Sequence, residues 1–101
     1  MIALHRPKEG QSDALEALLR RHTPVLRELE LVTDRPAIVA RAQDGTYLEI
    51  FEWRNSEAAE RAHDLPAVAA VWEGLGQVAD FARLADLGEI TRPFAHFATV
   101  W

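Results

Sequence analysis

Glu49 is the residue whose type and position best suit proton chemistry, because it is an acidic residue inside an apolar, strand-like segment. Residues 47–53 are rich in aromatic and β-branched side chains, which are typical of strands. Successive side chains of a strand point to opposite faces, so Glu49 shares a face with Tyr47, Phe51 and Trp53. A carboxylate among apolar side chains costs free energy unless it is paired. We therefore expect a partner close to it.

Histidines are the expected partners of this carboxylate. In this antiparallel sheet order the first strand lies beside the third and the fourth, so both His5 and His96 can approach Glu49. The pattern does not determine on which face of the last strand His96 lies. A Glu–His pair can take a proton from a phenol or an activated carbon, because burial raises the pKa of a carboxyl and a carboxylate orients an imidazole. The pair can equally be structural, and the sequence leaves both interpretations open. His22 is expected to be exposed on the first helix.

The aromatic residues on the face of Glu49 also allow two interpretations. They form either a stacking surface for a flat aromatic ligand or ordinary core packing under helices. The face is expected to carry small residues that leave volume beside the aromatic rings: Ala3, Ala40 and Ala42. In the first interpretation Glu49 is the general base or the anchor for a ligand hydroxyl, His5 is its partner and Trp53 is the stacking platform.

The order of elements predicts an α+β fold. A strand over residues 2–6 is followed by a helix from Ser12, interrupted at Pro24, and then by a hairpin over residues 36–53. Asp44 and Gly45 are read as its two-residue loop, which places Arg41 opposite Leu48. A short helix begins near residue 55 and a second at Pro66; residues 84–91 are ambiguous, and residues 93–101 form the last strand. This is a ferredoxin-like βαββαβ antiparallel sheet with helices on one face, in a single domain over residues 1–101.

Composition excludes several classes of function. The 101 residues include no cysteine, which removes thiolate chemistry and cysteine-ligated metal sites. The net charge is −5 and no basic run exceeds Arg20-Arg21, so nucleic-acid binding is not expected. No signal peptide is visible, and no apolar stretch approaches the ~18 residues of a membrane span. We expect a cytoplasmic protein without metal or cofactor, since histidine pairs at metal spacing and phosphate-binding loops are missing too.

The second face of the predicted sheet is also apolar, and one layer of helices cannot cover both faces. Its expected residues are Ile2, Leu4, Val39, Leu48 and Ile50. We therefore predict a homodimer that pairs these faces and removes them from water.

Residues 47–63 resemble the antibiotic-biosynthesis-monooxygenase-like family of dimeric α/β barrels, and the likeness extends over nearly the whole chain. The segment has the family's strand ending in Trp53, a polar turn, Glu57-Ala58, and a helix that reaches Ala62-His63. Pro66 matches a recurrent proline of that family. The resemblance implies a pocket between sheet and helices in each protomer, with the face of Trp53 directed into it. It also makes His63 a candidate site residue, although a histidine at a helix C-terminus can be there only for the helix dipole.

The resemblance implies a cofactor-independent monooxygenase that acts on a small aromatic or polycyclic molecule such as a quinol or anthrone. Ala3 and Trp72 stand where haem-degrading members have Asn and His, so we expect no haem. The alternative is a non-catalytic homodimeric barrel that binds a small apolar ligand or only assembles. The candidate catalytic residues are Glu49, His5 and His63, and the candidate substrate-binding residues are Tyr47, Phe51, Trp53, Trp72 and His96.

Overall fold

The computed structural model describes all residues from 1 to 101, which form an α+β domain with an open five-stranded antiparallel sheet and three helices. The strands are β1 (Ile2–Pro7), β2 (Ile38–Arg41), β3 (Tyr47–Ile50), β4 (Ala79–Ala82) and β5 (Ala98–Thr99). The helices are α1 (Ser12–Glu28), α2 (Ala58–His63) and α3 (Pro66–Val78), and two short 3-10 turns follow at Leu84–Asp86 and Gly88–Thr91. Pro24 lies within α1, which continues past it. None of the helices has the length and apolar character needed to cross a membrane.

The strands are arranged in the order β4-β1-β3-β2-β5, and every neighbouring pair is antiparallel. The strand beside β1 that follows the last helix is β4, which begins directly where α3 ends. The prediction of one final strand over residues 93–101 was therefore wrong. Only residues 98–99 of that segment form a strand, and they pair with β2 at the opposite edge of the sheet.

The turn between β2 and β3 has three residues, not two. The amide of Gly45 donates to the carbonyl of Ala42 at 3.0 Å, and the amide of Ala42 donates to the carbonyl of Thr46 at 2.8 Å. Gly45 adopts a φ of +93°, in the region where a side chain is disfavoured. A three-residue loop with glycine in this position is the next common hairpin after the two-residue loop.

The longer turn shifts the strand register by one residue from the predicted pairing. Val39 pairs with Glu49, and Ala40 pairs with Leu48. Because a shift of one residue moves each side chain to the other face, Val39 joins the face of Glu49. Ala40 and Ala42 lie on the opposite face, so their predicted place beside Glu49 was wrong. Ala3, which pairs with Glu49 across β1 and β3, is on the predicted face.

Different parts of the chain cover the two faces of the sheet, and the second face is covered only in part. On the helix side, leucines of α1 and α3 pack on β2 and β3 in a core of buried residues: Leu15, Leu19, Val39, Tyr47, Val71, Leu75 and Ala79. On the other side, which we call the outer face, Leu4, Ala42 and Leu48 pack against Leu87. The chain after β4 thus covers part of the face that was expected to be covered by a second copy. Ile2 and Ile38 remain about half exposed there.

Candidate functional site

Glu49 lies fully buried under the helices, with a histidine on each carboxylate oxygen. Its Oε1 is 3.2 Å from Nε2 of His5, and its Oε2 is 2.6 Å from Nδ1 of His22. Its exposed fraction is 0%, against 3% for His5 and 5% for His22. The expected contact between His5 and Glu49 is present. The second contact brings in a histidine that was expected to be exposed, and that expectation was wrong.

The elements around Glu49 explain why these three side chains meet. Ala3 is directly opposite Glu49 in the sheet, and His5 is two residues further along the same strand and on the same face. His22 approaches from α1, above the sheet. Its spacing from Leu19 and Leu26 places it on the buried stripe of that helix. This spacing was the signal in the sequence that could have identified it.

Trp72 of α3 extends the cluster by one more hydrogen bond. Its indole Nε1–H donates to Nε2 of His22 at 2.8 Å. The ring of His63, at the end of α2, stands edge-on to Trp72 with the ring centroids 4.8 Å apart. Side chains from the sheet and all three helices therefore converge on one point.

The hydrogen bonds of the cluster decide the charge of Glu49. Burial alone would raise the pKa of its carboxyl group. The hydrogen bonds from His22 and His5 outweigh burial, so the pKa of Glu49 lies below its ordinary value of 4.5. At neutral pH Glu49 is thus a carboxylate that accepts from two imidazoles. It anchors and orients them better than it accepts a proton itself.

A cavity of about 330 Å³ opens beside this cluster. Its wall consists of the cluster, further aromatic rings and small or apolar residues: Met1, Ala3, His5, His22, Glu49, Phe51, Trp53, Ala59, His63, Trp72, Leu75 and Phe81. Phe51 and Trp53 are packed edge to face with centroids 5.0 Å apart, and Trp53 Nε1 has no acceptor within the chain. The cavity thus combines one buried polar cluster with an aromatic wall.

The structure brings six of the eight candidate site residues to this cavity, and two lie elsewhere. Tyr47 is on the predicted face but is buried in the core beneath α1 and α3, with the guanidinium of Arg41 5.2 Å from its ring centre. His96 is exposed in the segment before β5, and β5 pairs with β2, not with β1. Its predicted approach to Glu49 was wrong, because the strand beside β1 is β4.

Phe81 is a cavity residue that sequence reasoning missed. It pairs with His5 across β1 and β4, and the two ring centroids are 5.5 Å apart. Phe81 is the one aromatic or β-branched residue in the segment Ala79–Ala82, so the composition of this segment did not indicate a strand. Phe81 is 77% exposed and lies at the mouth of the cavity.

A larger and more open cleft of about 570 Å³ adjoins the cavity. Its distinct polar feature is a pair between Arg35 and Glu52 at 3.3 Å, and both side chains are mainly in solvent. Exposed pairs of this kind contribute little binding or stability. The buried carboxylate and its two histidines line the smaller cavity instead.

No group of three or more histidine, aspartate, glutamate or cysteine side chains is arranged to hold a metal ion. At the cluster of Glu49, His5 and His22, hydrogen bonds already occupy the atoms that would have to bind a metal. Glu49 stands between the two imidazoles, and both ring nitrogens of His22 already have partners. A metal at this point would have to replace these contacts.

Comparisons with protein-family models, with curated proteins and with solved structures found no match. Membership of the antibiotic-biosynthesis-monooxygenase-like family therefore stays a prediction.

Proposed function

We propose that the protein is a cofactor-independent enzyme that binds a small aromatic molecule of the quinol or anthrone class and removes one of its protons. The observation that carries this proposal is the buried carboxylate of Glu49, held between two imidazoles at the wall of an aromatic cavity. Perturbed carboxyl–imidazole clusters in a cavity are typical of proton-transfer sites. The resemblance of residues 47–63 to cofactor-independent monooxygenases points to the same chemistry.

The cavity walls favour a flat ligand of limited size. Phe51 and Trp53 offer aromatic surface on one side, and Ala3 leaves room beside them. A volume of about 330 Å³ is at the lower end of the range for small-molecule sites. The ligand therefore has a few fused or linked rings at most, with its acidic group directed toward Glu49 and the histidines.

Glu49 acts as the anchor of the imidazole that takes the proton. Its lowered pKa makes it a weak base, but its negative charge stabilises an imidazolium that forms next to it. The deprotonated ligand is electron-rich and transfers electrons to dioxygen, which is the required co-substrate. In the complete reaction the ligand loses two hydrogen atoms and gains one oxygen atom, and the second oxygen atom leaves as water.

Oxygen uptake with a panel of quinols and anthrones tests this proposal. The wild-type protein should consume oxygen with at least one member, and Glu49→Gln should lose about 10²–10⁴-fold in rate, the usual contribution of general acid–base catalysis. Glu52→Gln is the matched control, because Glu52 follows the same strand but is about half exposed. Uptake that is equal in Glu49→Gln and wild type would reject the catalytic role.

A non-catalytic role as a binder of small apolar ligands is the second candidate. The observation that favours it is the complete hydrogen bonding of the cluster, in which both ring nitrogens of His22 have partners. If the protein only binds such ligands, addition of a ligand should quench the fluorescence of Trp53 and Trp72 without any oxygen uptake. An enzyme would give both signals.

We also infer that the fold is ferredoxin-like and that two copies pair through their outer faces as a dimeric barrel. The order β4-β1-β3-β2 supports the first inference. A row of isoleucines across three strands supports the second, since Ile2 and Ile38 both pair with Ile50. The support from Leu4 and Leu48 is weaker than expected, because Leu87 covers them.

A further inference from the structure

The hydrogen bonds fix which nitrogen of His22 carries its proton. An indole N–H can only donate, so the Nε2 of His22 that lies 2.8 Å from Trp72 Nε1 is an acceptor without a proton. A neutral imidazole then has its proton on Nδ1, which lies 2.6 Å from Glu49 Oε2. His22 is therefore a neutral ring that donates to the carboxylate and holds a lone pair toward Trp72.

This arrangement is that of a general base. A carboxylate that accepts from Nδ1–H orients the imidazole, and the lone pair on Nε2 can then accept a proton. His22 and Trp72, the two partners of this hydrogen bond, both line the cavity. The group that occupies the lone pair is the indole N–H of Trp72.

We propose that His22 is the proton acceptor of the site and that Trp72 is a displaceable cap on its Nε2, which the acidic O–H of a phenolic ligand replaces. This inference rests on the proposed function. The proton moves from the ligand oxygen to Nε2, leaving a phenolate and an imidazolium that faces the Glu49 carboxylate. The indole N–H, released from His22, donates to the phenolate oxygen. The indole N–H of Trp72 thus occupies Nε2 of His22 when no ligand is bound, and it stabilises the phenolate once that anion forms.

His22 fits this role better than the other members of the cluster. Glu49 has a lowered pKa, and both of its oxygens already accept hydrogen bonds. His5 makes the longer contact to Glu49, 3.2 Å against 2.6 Å, so its ring is held less firmly. His63 is exposed and has no carboxylate partner.

The cap is tested without any ligand by acylation with diethyl pyrocarbonate. In this reaction an unprotonated ring nitrogen attacks a carbonyl carbon of the reagent, and ethanol and carbon dioxide leave. In wild type, His22 should react slowly, while the exposed His63 and His96 react readily. Trp72→Phe keeps an aromatic ring but removes the N–H, so acylation of His22, located by peptide mass spectrometry, should become several-fold faster. Trp101→Phe, which changes a tryptophan outside the cavity, should leave the His22 rate unchanged. Equal His22 rates in wild type and Trp72→Phe would overturn the cap.

The tautomer gives a measurement on the wild-type protein alone, which remains valid if Trp72→Phe folds poorly. In a ¹⁵N-histidine NMR spectrum, His22 should have a protonated Nδ1 and an unprotonated Nε2. A protonated Nε2 would contradict the assignment.

Binding of 4-nitrophenol tests the transfer of the proton, because the phenolate absorbs at a longer wavelength than the phenol. At a pH at which the free probe is mainly protonated, the complex with wild type should have the phenolate band. His22→Asn keeps a donor near the position of Nδ1 but removes Nε2, so it should bind the probe without that band. An undiminished band in His22→Asn would overturn the role of His22. If no phenol binds even to wild type, the proposed function fails, while acylation and the tautomer still decide whether Trp72 caps His22.

Discussion

Removal of the Glu49 side chain should destabilise the fold strongly, by an amount that follows from its contacts. In Glu49→Ala the N–H groups of His5 and His22 lose their acceptor, and both histidines are buried. Each buried donor without a partner costs about 1–3 kcal/mol, and the lost side chain leaves a gap. We expect a loss of about 4 kcal/mol in the free energy of unfolding.

Glu49→Gln should cost much less, about 1–2 kcal/mol, because it changes charged hydrogen bonds to neutral ones of about half the strength. The carbonyl oxygen of the new amide would face His22, whose Nδ1 is fixed as a donor by Trp72. Its NH₂ group would then face His5, which can accept by moving its own proton to Nδ1. The isostere therefore keeps both contacts.

Urea unfolding followed by circular dichroism measures both variants. With a slope of about 1.5 kcal/mol per M, Glu49→Ala should lower the midpoint by about 2.5 M and Glu49→Gln by about 1 M. Glu52→Gln removes the exposed ion pair with Arg35 and should shift the urea midpoint by less than about 0.5 M. If Glu49→Ala unfolds within about 1 kcal/mol of wild type, the cluster does not have the buried, hydrogen-bonded geometry described.

Three further results are expected. The pKa of Glu49 is lowered on folding, so the unfolded chain binds its proton first as pH falls. The stability that Glu49 contributes should be fully present above its ordinary pKa of 4.5 and should be lost as pH falls through the pKa of the folded state. Urea unfolding at several pH values measures this loss, and Glu49→Gln should lack the part of it that comes from Glu49. An identical loss of stability in acid for wild type and Glu49→Gln would argue against a lowered pKa of Glu49. Ile50→Asp should convert a dimer to monomer or aggregate, measured by light scattering, and a monomeric wild type at micromolar concentration would refute the dimer. Leu87→Ala should cost about 2–4 kcal/mol in thermal or urea unfolding, because Leu87 is 3% exposed on the outer face; a negligible cost would mean that the chain after β4 does not pack there.

The alternation of β3 was predictable because it depends only on the two-residue period of a strand. Glu49 and Phe51 are on one face, together with His5 on the neighbouring strand, and all three were placed correctly. The register of the hairpin was not predictable in the same way. Asp44-Gly45 fits a two-residue loop, but it also fits a three-residue loop with Gly45 at positive φ. The sequence signals of the two turns are nearly the same, and a difference of one residue exchanges the faces of β2.

The sequence predicted only some of the site residues, because the others come together through contacts between elements that are distant along the chain. His22 was missed although its spacing from Leu19 and Leu26 fits the buried stripe of α1. Histidine is common at helix surfaces, and its partner Glu49 is 27 residues away. Phe81 had no local signal, since Ala79–Ala82 becomes a strand only by pairing with β1.

The sequence also did not predict that the chain after β4 covers part of the outer face, since irregular segments have no periodic pattern of apolar residues. Leu87 lies between two short 3-10 turns, a region that the sequence left as ambiguous. Its contact with Leu4 and Leu48 depends on where the chain passes after β4. The apolar sheet face indicated that this surface needs cover, and Leu87 of the same chain supplies part of it. That a second copy covers the remainder stays a prediction.

A crystal structure of the protein with a bound phenol, such as 4-nitrophenol, would show where an aromatic ligand binds. The ring should lie in the cavity beside Phe51 and Trp53, with its oxygen within hydrogen-bond distance of a histidine or tryptophan nitrogen of the cluster and with Glu49 still paired to His5 and His22. A ring found only in the larger cleft beside Arg35, with the cluster unchanged and the cavity empty, would show that the cavity is not the ligand site.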